Sequence, residues 1–278
     1  MRCLASIQAQ DPSPLQVVIV DQSTSKYEIA DQPSILHVYE PSLKGLTAAR
    51  NRACALADGD ILLFVDDDVE LQPGCLKAIS EAAITYPYAI GFQCAIAGVD
   101  RRLNVNSFIG AIFQRGFFNG SHLPGDNPRK LRRLFGCAMA FRKELFAHET
   151  FDENLIGYGY GEDWEFSYRA RKYGAFVLVE NASVIHHTSP TNRLEREQHR
   201  KVRWDSFLYF YSKLGAADYF PNRLWRLWWM LGESIDWFAL GMGFPIFGIR
   251  TGRAPLVSLI DKPLAPSDSN RLARDRSA

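Results

Sequence analysis

The sequence lacks the features that define several classes of protein. Its 32 Lys and Arg residues nearly balance 31 Asp and Glu residues, for a formal net charge of +1, so no global field favours nucleic acid as a partner. Its five cysteines are scattered without a C-x-x-C pair, which argues against a zinc ribbon or a disulfide frame and fits free thiols in a reducing compartment. We therefore expect a cytoplasmic protein that does not bind nucleic acid.

Long hydrophobic runs are also missing. No stretch of about 20 uncharged apolar residues occurs, because the nearest candidate, residues 225–249, is interrupted by Glu233 and Asp236. The opening residues, MRCLASIQAQDPSP, do not contain the apolar core of a signal peptide. The expected location is the cytoplasm, with possible contact at the inner face of the cell membrane.

What the first 95 or so residues do contain is an alternation of short apolar runs with amphipathic ones. It predicts strands at residues 15–20, 35–39 and 61–65, and helices at residues 46–57 and from Pro73 to about Tyr86. This alternation favours a parallel sheet covered by helices on both faces. Ligands of such sheets bind at the carboxyl ends of the strands.

The second half of the chain carries fewer elements of this kind. We predict a strand over residues 134–141, a helix over residues 162–173 and a strand over residues 175–179. The segment 100–130 has mixed polarity and several glycines, and it is interpreted as a long excursion from the sheet.

Three adjacent aspartates follow the apolar run ILLFV. Alternate residues of an extended segment point the same way, so Asp66 and Asp68 can converge while Asp67 points elsewhere. Oxygen ligands of this kind suit Mg²⁺ or Mn²⁺ held jointly with substrate phosphates. The alternative is a solvated acidic turn that only ends a strand.

A glycine-rich segment, GYGYGED, precedes the helix predicted to begin at Glu162. It is typical of a mobile loop that presents a general base, although acidic residues are also favoured in a first helical turn by the helix dipole alone. The pair His186–His187 could complete a carboxylate metal site or be structural. Arg50 offers a planar fork for phosphate or a base edge, but taken by itself it is better explained as a surface arginine on an amphipathic helix.

Taken together and in this order, five segments resemble the family 2 glycosyltransferases. They are VVIVDQS (17–23), GLTAARNRACALADGDILLFVDDDVE (45–70), GCAMAFRKELF (136–146), FDENLIGYGYGEDWEFSYRARKYG (151–174) and ENASVIHH (180–187). The resemblance implies a Rossmann-like GT-A mixed α/β sheet flanked by helices. It also implies a metal-dependent, inverting transfer of a sugar from a nucleotide-diphosphate sugar to an acceptor hydroxyl.

The resemblance also implies roles for single residues. Asp163 matches the catalytic base, and Glu162 would help to hold the acceptor. Asp68 matches a ligand of Mn²⁺ or Mg²⁺, together with Asp66 and His186, and His187 is the less suitable imidazole. The residues expected on the donor side are Asp21 at the nucleobase, Arg50 at the base or diphosphate, Asp66 at the ribose, and Asp67.

The family normally opens with a strand that this sequence does not show. Met1–Ile7 matches the helix that follows this strand, so we expect the sheet to lose a central strand and to keep unpaired edges. A truncated or inactive relative that only binds a nucleotide sugar is therefore one alternative. A nucleotidyltransferase is another, although its glycine-rich basic phosphate loop is not visible near the start.

The resemblance divides the chain into a catalytic domain at 1–190, a helical, aromatic-rich C-terminal region at 191–262 and a disordered tail at 263–278. Tryptophans and arginines within residues 223–253 suit an interfacial helix that touches a membrane, or helices that pack on the catalytic domain or on a second subunit. The basic run Arg129–Arg133 could meet lipid headgroups or an anionic acceptor, or be a solvated face. A carbohydrate or lipid-linked acceptor in polysaccharide or lipid-linked glycan assembly is the expected setting.

Overall fold

The computed structural model of the chain describes residues 2–97, 130–131, 133–155 and 159–187, together with helical positions at 198, 201, 202, 205, 206, 209, 213 and 231. The predicted excursion at 100–130 lies almost wholly outside these residues. So do the tail at 263–278 and the proposed membrane segment at 223–253, of which only position 231 is described.

Four helices and eight strands are described. The helices are α1 (Arg2–Gln8), α2 (Leu46–Leu56), α3 (Cys75–Thr85) and α4 (Glu162–Ala170), with a 3₁₀ turn at Lys143–Ala147. The strands are β1 (Val17–Asp21), β2 (Ile35–Tyr39), β3 (Ile61–Val65), β4 (Val69–Leu71), β5 (Ala89–Ala97), β6 (Lys130–Leu131), β7 (Ala138–Arg142) and β8 (Ala175–His186).

The strands form two sheets. β1 and β2 pair in parallel as a sheet of their own, and the larger sheet has the order β3-β7-β5-β8-β4, with β6 on β8. Within the larger sheet only β5 and β8 run parallel, and the other pairs are antiparallel. In the described part of the chain no strand joins β1 to β3, so the expected break in the sheet is seen.

Alternate residues of the central strands supply two different apolar layers. Small side chains of β7, Ala138 and Ala140, lie in a layer that includes Ile79 of α3. Their neighbours Met139 and Phe141 lie in the other layer, which contains Phe166 of α4 and is rich in aromatic rings. Side chains alternate across a strand, so the two layers lie on opposite faces of the sheet. α3 covers one face and α4 covers the other, as predicted.

The prediction of a parallel sheet from the first 95 residues holds only for β1 and β2. β3 instead pairs antiparallel with β7, which comes from a distant part of the chain. The strand predicted over 134–141 begins only at Ala138. The backbone before it is hydrogen-bonded to side chains, since Leu134 N donates to Ser167 Oγ at 3.0 Å and Phe135 N donates to Gln93 Oε1 at 2.5 Å.

Among the helices that can be described, none is both long enough and apolar enough to cross a bilayer.

Candidate active site

The three aspartates form a tight turn between β3 and β4. Val69 N donates to the carbonyl oxygen of Asp66 at 3.1 Å, which closes the turn, and Asp67 at its tip is exposed. The predicted convergence of Asp66 and Asp68 is thus produced by a turn rather than by the alternation of an extended segment. Asp66 N also donates to Cys137 O at 3.1 Å, which anchors the turn to the residue before β7.

His186 at the end of β8 faces this turn. One ligand atom each of Asp66, Asp68 and His186 lies within 4.8 Å of the others, and His186 Nε2 is 3.1 Å from Asp68 Oδ1. Two carboxylate oxygens and one imidazole nitrogen suit Mn²⁺ or Mg²⁺, and their spacing allows one ion to be reached by all three. The register that pairs Val69 with His186 sets this approach.

His187 points away from this cluster. Its Nε2 lies 2.8 Å from Glu70 Oε2, and Arg2 Nη1 of α1 lies 3.1 Å from its Nδ1. An arginine can only donate, so Nδ1 accepts and Nε2 donates to the carboxylate. His186 is therefore the histidine that the structure brings to the aspartates, in agreement with the preference stated from the sequence.

Arg50 on α2 is buried, with 6% of its surface exposed. The interpretation as a surface arginine is therefore wrong. Its Nη1 donates to Glu162 Oε1 in a very short contact, and its Nη2 donates to Gly136 O at 3.1 Å and lies 3.4 Å from Asp66 Oδ1. The guanidinium thus joins the aspartate turn to the start of α4. Its predicted contact with the nucleotide stays a prediction.

Burial shifts the proton affinity of the two carboxylates that Arg50 joins. Removal from water raises the pKa of Glu162 to about 7, with a further push from Asp163, while Arg50 pulls in the opposite direction. The pKa of Asp66 is also raised, first by burial and then by Asp68, against the pull of Arg50. Arg50 therefore offsets part of the repulsion within a crowded acidic site.

Asp163, the predicted base, is oriented by two backbone donors. Gly136 N donates to its Oδ2 at 3.0 Å and Trp164 N donates to its Oδ1 at 2.7 Å. Gly136 O accepts from Arg50 Nη2, which lies 3.4 Å from Asp66 Oδ1, so Asp163 and Asp66 both lie beside Gly136 and Arg50. The structure thus places Asp163 near the cluster of Asp66, Asp68 and His186, and the catalytic role of each residue stays a prediction. Gly157 of the predicted loop lies outside the described residues, and Gly159 and Gly161 adopt positive φ angles of 62° and 80°.

Asp21 lies on the separate two-stranded sheet. Its carboxylate accepts hydrogen bonds from Ser23 N and Tyr27 N, each at 2.9 Å, and from the hydroxyl of Ser23, and it lies 3.2 Å from His37 Nε2. These hydrogen bonds, led by that of the Ser23 hydroxyl, lower the pKa of Asp21. In this structure Asp21 orders the loop after β1, and its contact with a nucleobase stays a prediction.

Two residues that matter for the site were not singled out from the sequence. A Cβ on Gly136 would lie 2.7 Å from Glu162 Oε1 and 3.0 Å from Arg50 Nη2, so any larger residue there would displace the ion pair between those two side chains. Asn51, next to Arg50, donates to Phe151 O at 2.9 Å and accepts from Phe151 N at 2.8 Å. Both lie inside segments that carry the family resemblance, but neither carries a charge that would have marked it.

A second charged cluster joins Asp152 to α4. Asp152 is buried and accepts from Tyr209 Oη at 2.5 Å and from Lys213 Nζ. Lys213 also lies 2.9 Å from Glu165 Oε1 of α4. Burial opposes ionisation of Asp152, but hydrogen bonds led by that of Lys213 outweigh it and lower the pKa to about 2. Tyr209 and Lys213 therefore pack against Asp152 and the start of α4.

Comparison with known proteins agrees with this geometry. The sequence model of Glycosyl transferase family 2 matches residues 1–149, more than half of the chain. The putative colanic acid biosynthesis glycosyl transferase WcaA of Escherichia coli (strain K12) is 24% identical over 276 residues, which cover 91% of this chain and 90% of that protein.

One solved structure shows the same fold. A crystal structure of GalNAc-T7 with UDP, GalNAc and Mn²⁺ superposes with a TM-score of 0.52 at 15% identity, covering 88% of this chain. The chain spans 55% of the length of that protein. A crystal structure of residues 1–349 of S. aureus TarS is less similar, with a TM-score of 0.45 at 15% identity, covering 83% of this chain and 74% of the other.

The fold match confirms the predicted GT-A mixed sheet with flanking helices. The family match favours a glycosyltransferase over the nucleotidyltransferase considered above. By the extent of that match, the chain belongs to glycosyl transferase family 2.

Proposed function

We propose that this glycosyltransferase moves a sugar from a nucleotide-diphosphate sugar to an acceptor hydroxyl, with a divalent ion and with inversion at the anomeric carbon. The observation that carries the proposal is the cluster of Asp66, Asp68 and His186, whose ligand atoms lie within 4.8 Å of one another. One guanidinium, that of Arg50, joins this cluster to Glu162. Asp163, which follows Glu162, is held beside the same arginine through Gly136, and this arrangement supports a shared site for a metal ion and a base.

Each residue has a distinct part in this proposal. Asp68 and His186, with Asp66, hold Mn²⁺ or Mg²⁺, and such an ion neutralises the charge that develops on a leaving nucleotide. Asp163 accepts the proton of the acceptor hydroxyl as its oxygen attacks the anomeric carbon, and Glu162 holds the acceptor. Asp21, Arg50 and Asp67 belong to the donor side. A single displacement of this kind inverts configuration without a covalent enzyme intermediate.

The setting we propose is polysaccharide or lipid-linked glycan assembly at the cytoplasmic face of the cell membrane. The WcaA relative is named as a putative colanic acid biosynthesis glycosyl transferase, which supports this setting. The GalNAc-T7 structure contains UDP, GalNAc and Mn²⁺, which supports a UDP-sugar as the first candidate for the donor and Mn²⁺ as the first candidate for the metal.

We also propose that residues 223–253 contact the membrane. Flotation with anionic liposomes tests this contact, and light scattering tests self-association of the protein. Recovery wholly in the soluble fraction contradicts the membrane contact.

The donor site is tested with a panel of nucleotide sugars in thermal denaturation. We expect one of them to raise the melting temperature of the wild-type protein with Mn²⁺ present and not with EDTA. In Asp68→Asn the metal-dependent part of the shift is lost, because one ligand of the ion is gone. Product from the donor so identified is then analysed by NMR, and inversion predicts the opposite anomeric configuration.

A matched control separates loss of the metal site from loss of surface charge. Glu81 is an exposed carboxylate on α3 whose pairing distance to Lys77 is 4.0 Å, and Glu81→Gln should behave as wild type. The proposal fails if no nucleotide sugar stabilises the wild type, or if the shift is the same with EDTA and in Asp68→Asn.

A further inference from the structure

One cation near the proposed base, Arg133, takes no part in the proposed function. The basic run Arg129–Arg133 ends at Arg133, whose guanidinium carbon lies over two aromatic rings. It is 5.1 Å from the centroid of Phe135 and 5.6 Å from the centroid of Trp164. All three side chains are partly exposed, so this cluster faces solvent beside the start of α4.

The environment of Arg133 differs from that of other arginines near the site. Arg50 and Arg169 are joined to carboxylates and Arg142 donates to backbone carbonyls. Within the ranges that the structure describes, no hydrogen bond or ion pair engages the guanidinium of Arg133. A ring face attracts the cation electrostatically but takes up none of its five N–H donors, which lie in the guanidinium plane. Arg133 is therefore oriented by the rings with its donors open to an anion.

The backbone fixes this cluster next to Asp163. Leu134 N donates to Ser167 Oγ at 3.0 Å, and Gly136 N donates to Asp163 Oδ2 at 3.0 Å. The segment that begins at Arg133 thus runs along the first turns of α4, and Trp164 directly follows the proposed base. A group bound by Arg133 would belong to the molecule whose hydroxyl Asp163 deprotonates, because that molecule must lie against the same turn.

We propose that Arg133, Phe135 and Trp164 form an acceptor subsite that binds a negatively charged group of the acceptor glycan, a carboxylate or a phosphate. A guanidinium fork pairs with either group through two parallel hydrogen bonds. The inference rests on the proposed function, since it deepens the acceptor side of that same site. It selects an acidic sugar or a sugar phosphate over a neutral sugar.

NMR of the full chain with ¹⁵N-labelled tryptophan tests the subsite. The indole signal of Trp164 is assigned with Trp164→Phe, and glucuronate, glucose 1-phosphate and glucose are titrated in EDTA, which excludes binding through a metal. We expect glucuronate or glucose 1-phosphate, but not glucose, to shift this signal to saturation. The sugar that acts distinguishes a carboxylate from a phosphate as the recognised group.

Variants at two arginines complete the experiment. Arg133→Gln should weaken binding of the charged sugar roughly tenfold or more, as expected for loss of a charge-assisted hydrogen bond, and Arg133→Lys should weaken it less. Arg171 lies beyond the end of α4 and over a ring, with 4.3 Å to the centroid of Tyr168, so Arg171→Gln should bind as wild type. The subsite is overturned if neither charged sugar shifts the Trp164 signal, or if glucose shifts it equally. It is also overturned if Arg133→Gln leaves the affinity for the charged sugar unchanged.

The outcome is separable from that of the proposed function. The same preparation is examined for Mn²⁺-dependent stabilisation by nucleotide sugars. If that stabilisation is present while the charged sugars have no effect on Trp164, the subsite is overturned and the proposed function stands. If stabilisation is absent, the proposed function fails, and the titration in EDTA still decides whether Arg133 binds an anionic sugar.

Discussion

At the scale of single residues, Arg50 holds together carboxylates that come from two distant parts of the chain. Replacing it with alanine leaves Glu162, a buried carboxylate, without its cation. At pH 8, where Glu162 is ionised in the wild type, we expect Arg50→Ala to lower the free energy of unfolding by up to about 3–5 kcal/mol, the usual cost of breaking a buried ion pair, and by less at lower pH. Urea denaturation measures this change.

The cause of the loss is checked by a second substitution. In Arg50→Ala/Glu162→Gln the buried charge is gone, so the double variant should be more stable than Arg50→Ala. A double variant that is no more stable would show that the packing of the arginine, rather than its charge, accounts for the loss.

The raised pKa of Glu162 also makes stability depend on pH. Its folded-state pKa of about 7 exceeds the ordinary value of 4.5, so the folded state binds the proton more tightly. The stability that Glu162 contributes is therefore complete below pH 4.5 and is lost as pH rises through 7, at no more than ~1.4 kcal/mol per pH unit. Urea denaturation of wild type and Glu162→Gln between pH 4.5 and 8 measures the difference, which should be flat if Glu162 keeps its ordinary pKa.

The sequence was sufficient to bring Asp66, Asp68, Asp163 and His186 to one site, because each lies in a motif that resembles the family. It was not sufficient to place Arg50. The chemistry of an arginine on a helix is the same whether it faces solvent or a carboxylate 112 residues away. Only the packing of α2 against the start of α4 decides between the two.

At the scale of elements, the segment 134–137 is positioned by its contacts with α4. We predict that Gly136→Ala lowers both stability and transfer activity, because its Cβ would lie 2.7 Å from Glu162 Oε1 and 3.0 Å from Arg50 Nη2. Those atoms belong to the buried ion pair and have little freedom to move. Thermal denaturation and kcat/KM for the donor measure the two effects.

Gly59→Ala is the matched control for this substitution. A Cβ at Gly59 would have Ile61 O at 3.5 Å as its nearest neighbour, which is an ordinary contact. This variant should keep wild-type stability and activity. Equal losses in the two variants would contradict the role given to Gly136.

The elements themselves were predicted unevenly, for a physical reason. β2 and β3 were predicted with the bounds that the structure shows, because polar turns flank their apolar runs. The sequence pattern does not predict the strands β4 and β5. β4 has only three residues, and β5 is buried along most of its length, so neither shows the alternation by which a strand is recognised. Their pairing with β8 depends on residues about 100 positions later in the chain.

At the scale of the whole molecule, Lys213 ties the C-terminal region to the catalytic domain. Lys213→Met removes its contacts with Asp152 and Glu165, and we expect the free energy of unfolding to fall by roughly 1–3 kcal/mol, as for hydrogen bonds to charged groups. Lys77→Met, at an exposed pair with a distance of 4.0 Å, should cost about 0–1 kcal/mol. Urea denaturation of both variants makes the comparison.

Acid should remove the difference between wild type and Lys213→Met. The pKa of Asp152 is lowered from 3.8 to about 2, so its stabilising effect is present above pH 3.8 and is lost as pH falls toward 2. The two unfolding free energies should therefore converge over that interval. A difference that stays unchanged from pH 4 to pH 2 would mean that Lys213 stabilises the fold by packing and not through the charge of Asp152.

The alternation of small and large side chains in β7 leaves this strand no tolerance for a shift in register. A slip by one residue would turn every side chain to the opposite face, placing Met139 and Phe141 against α3, where alanines now fit. It would also move Gly136 away from Asp163, to which its N–H donates, and from Glu162, against which it packs. An insertion or deletion of a single residue in β7 thus disturbs core and chemistry together, whereas a shortened loop elsewhere can leave both intact.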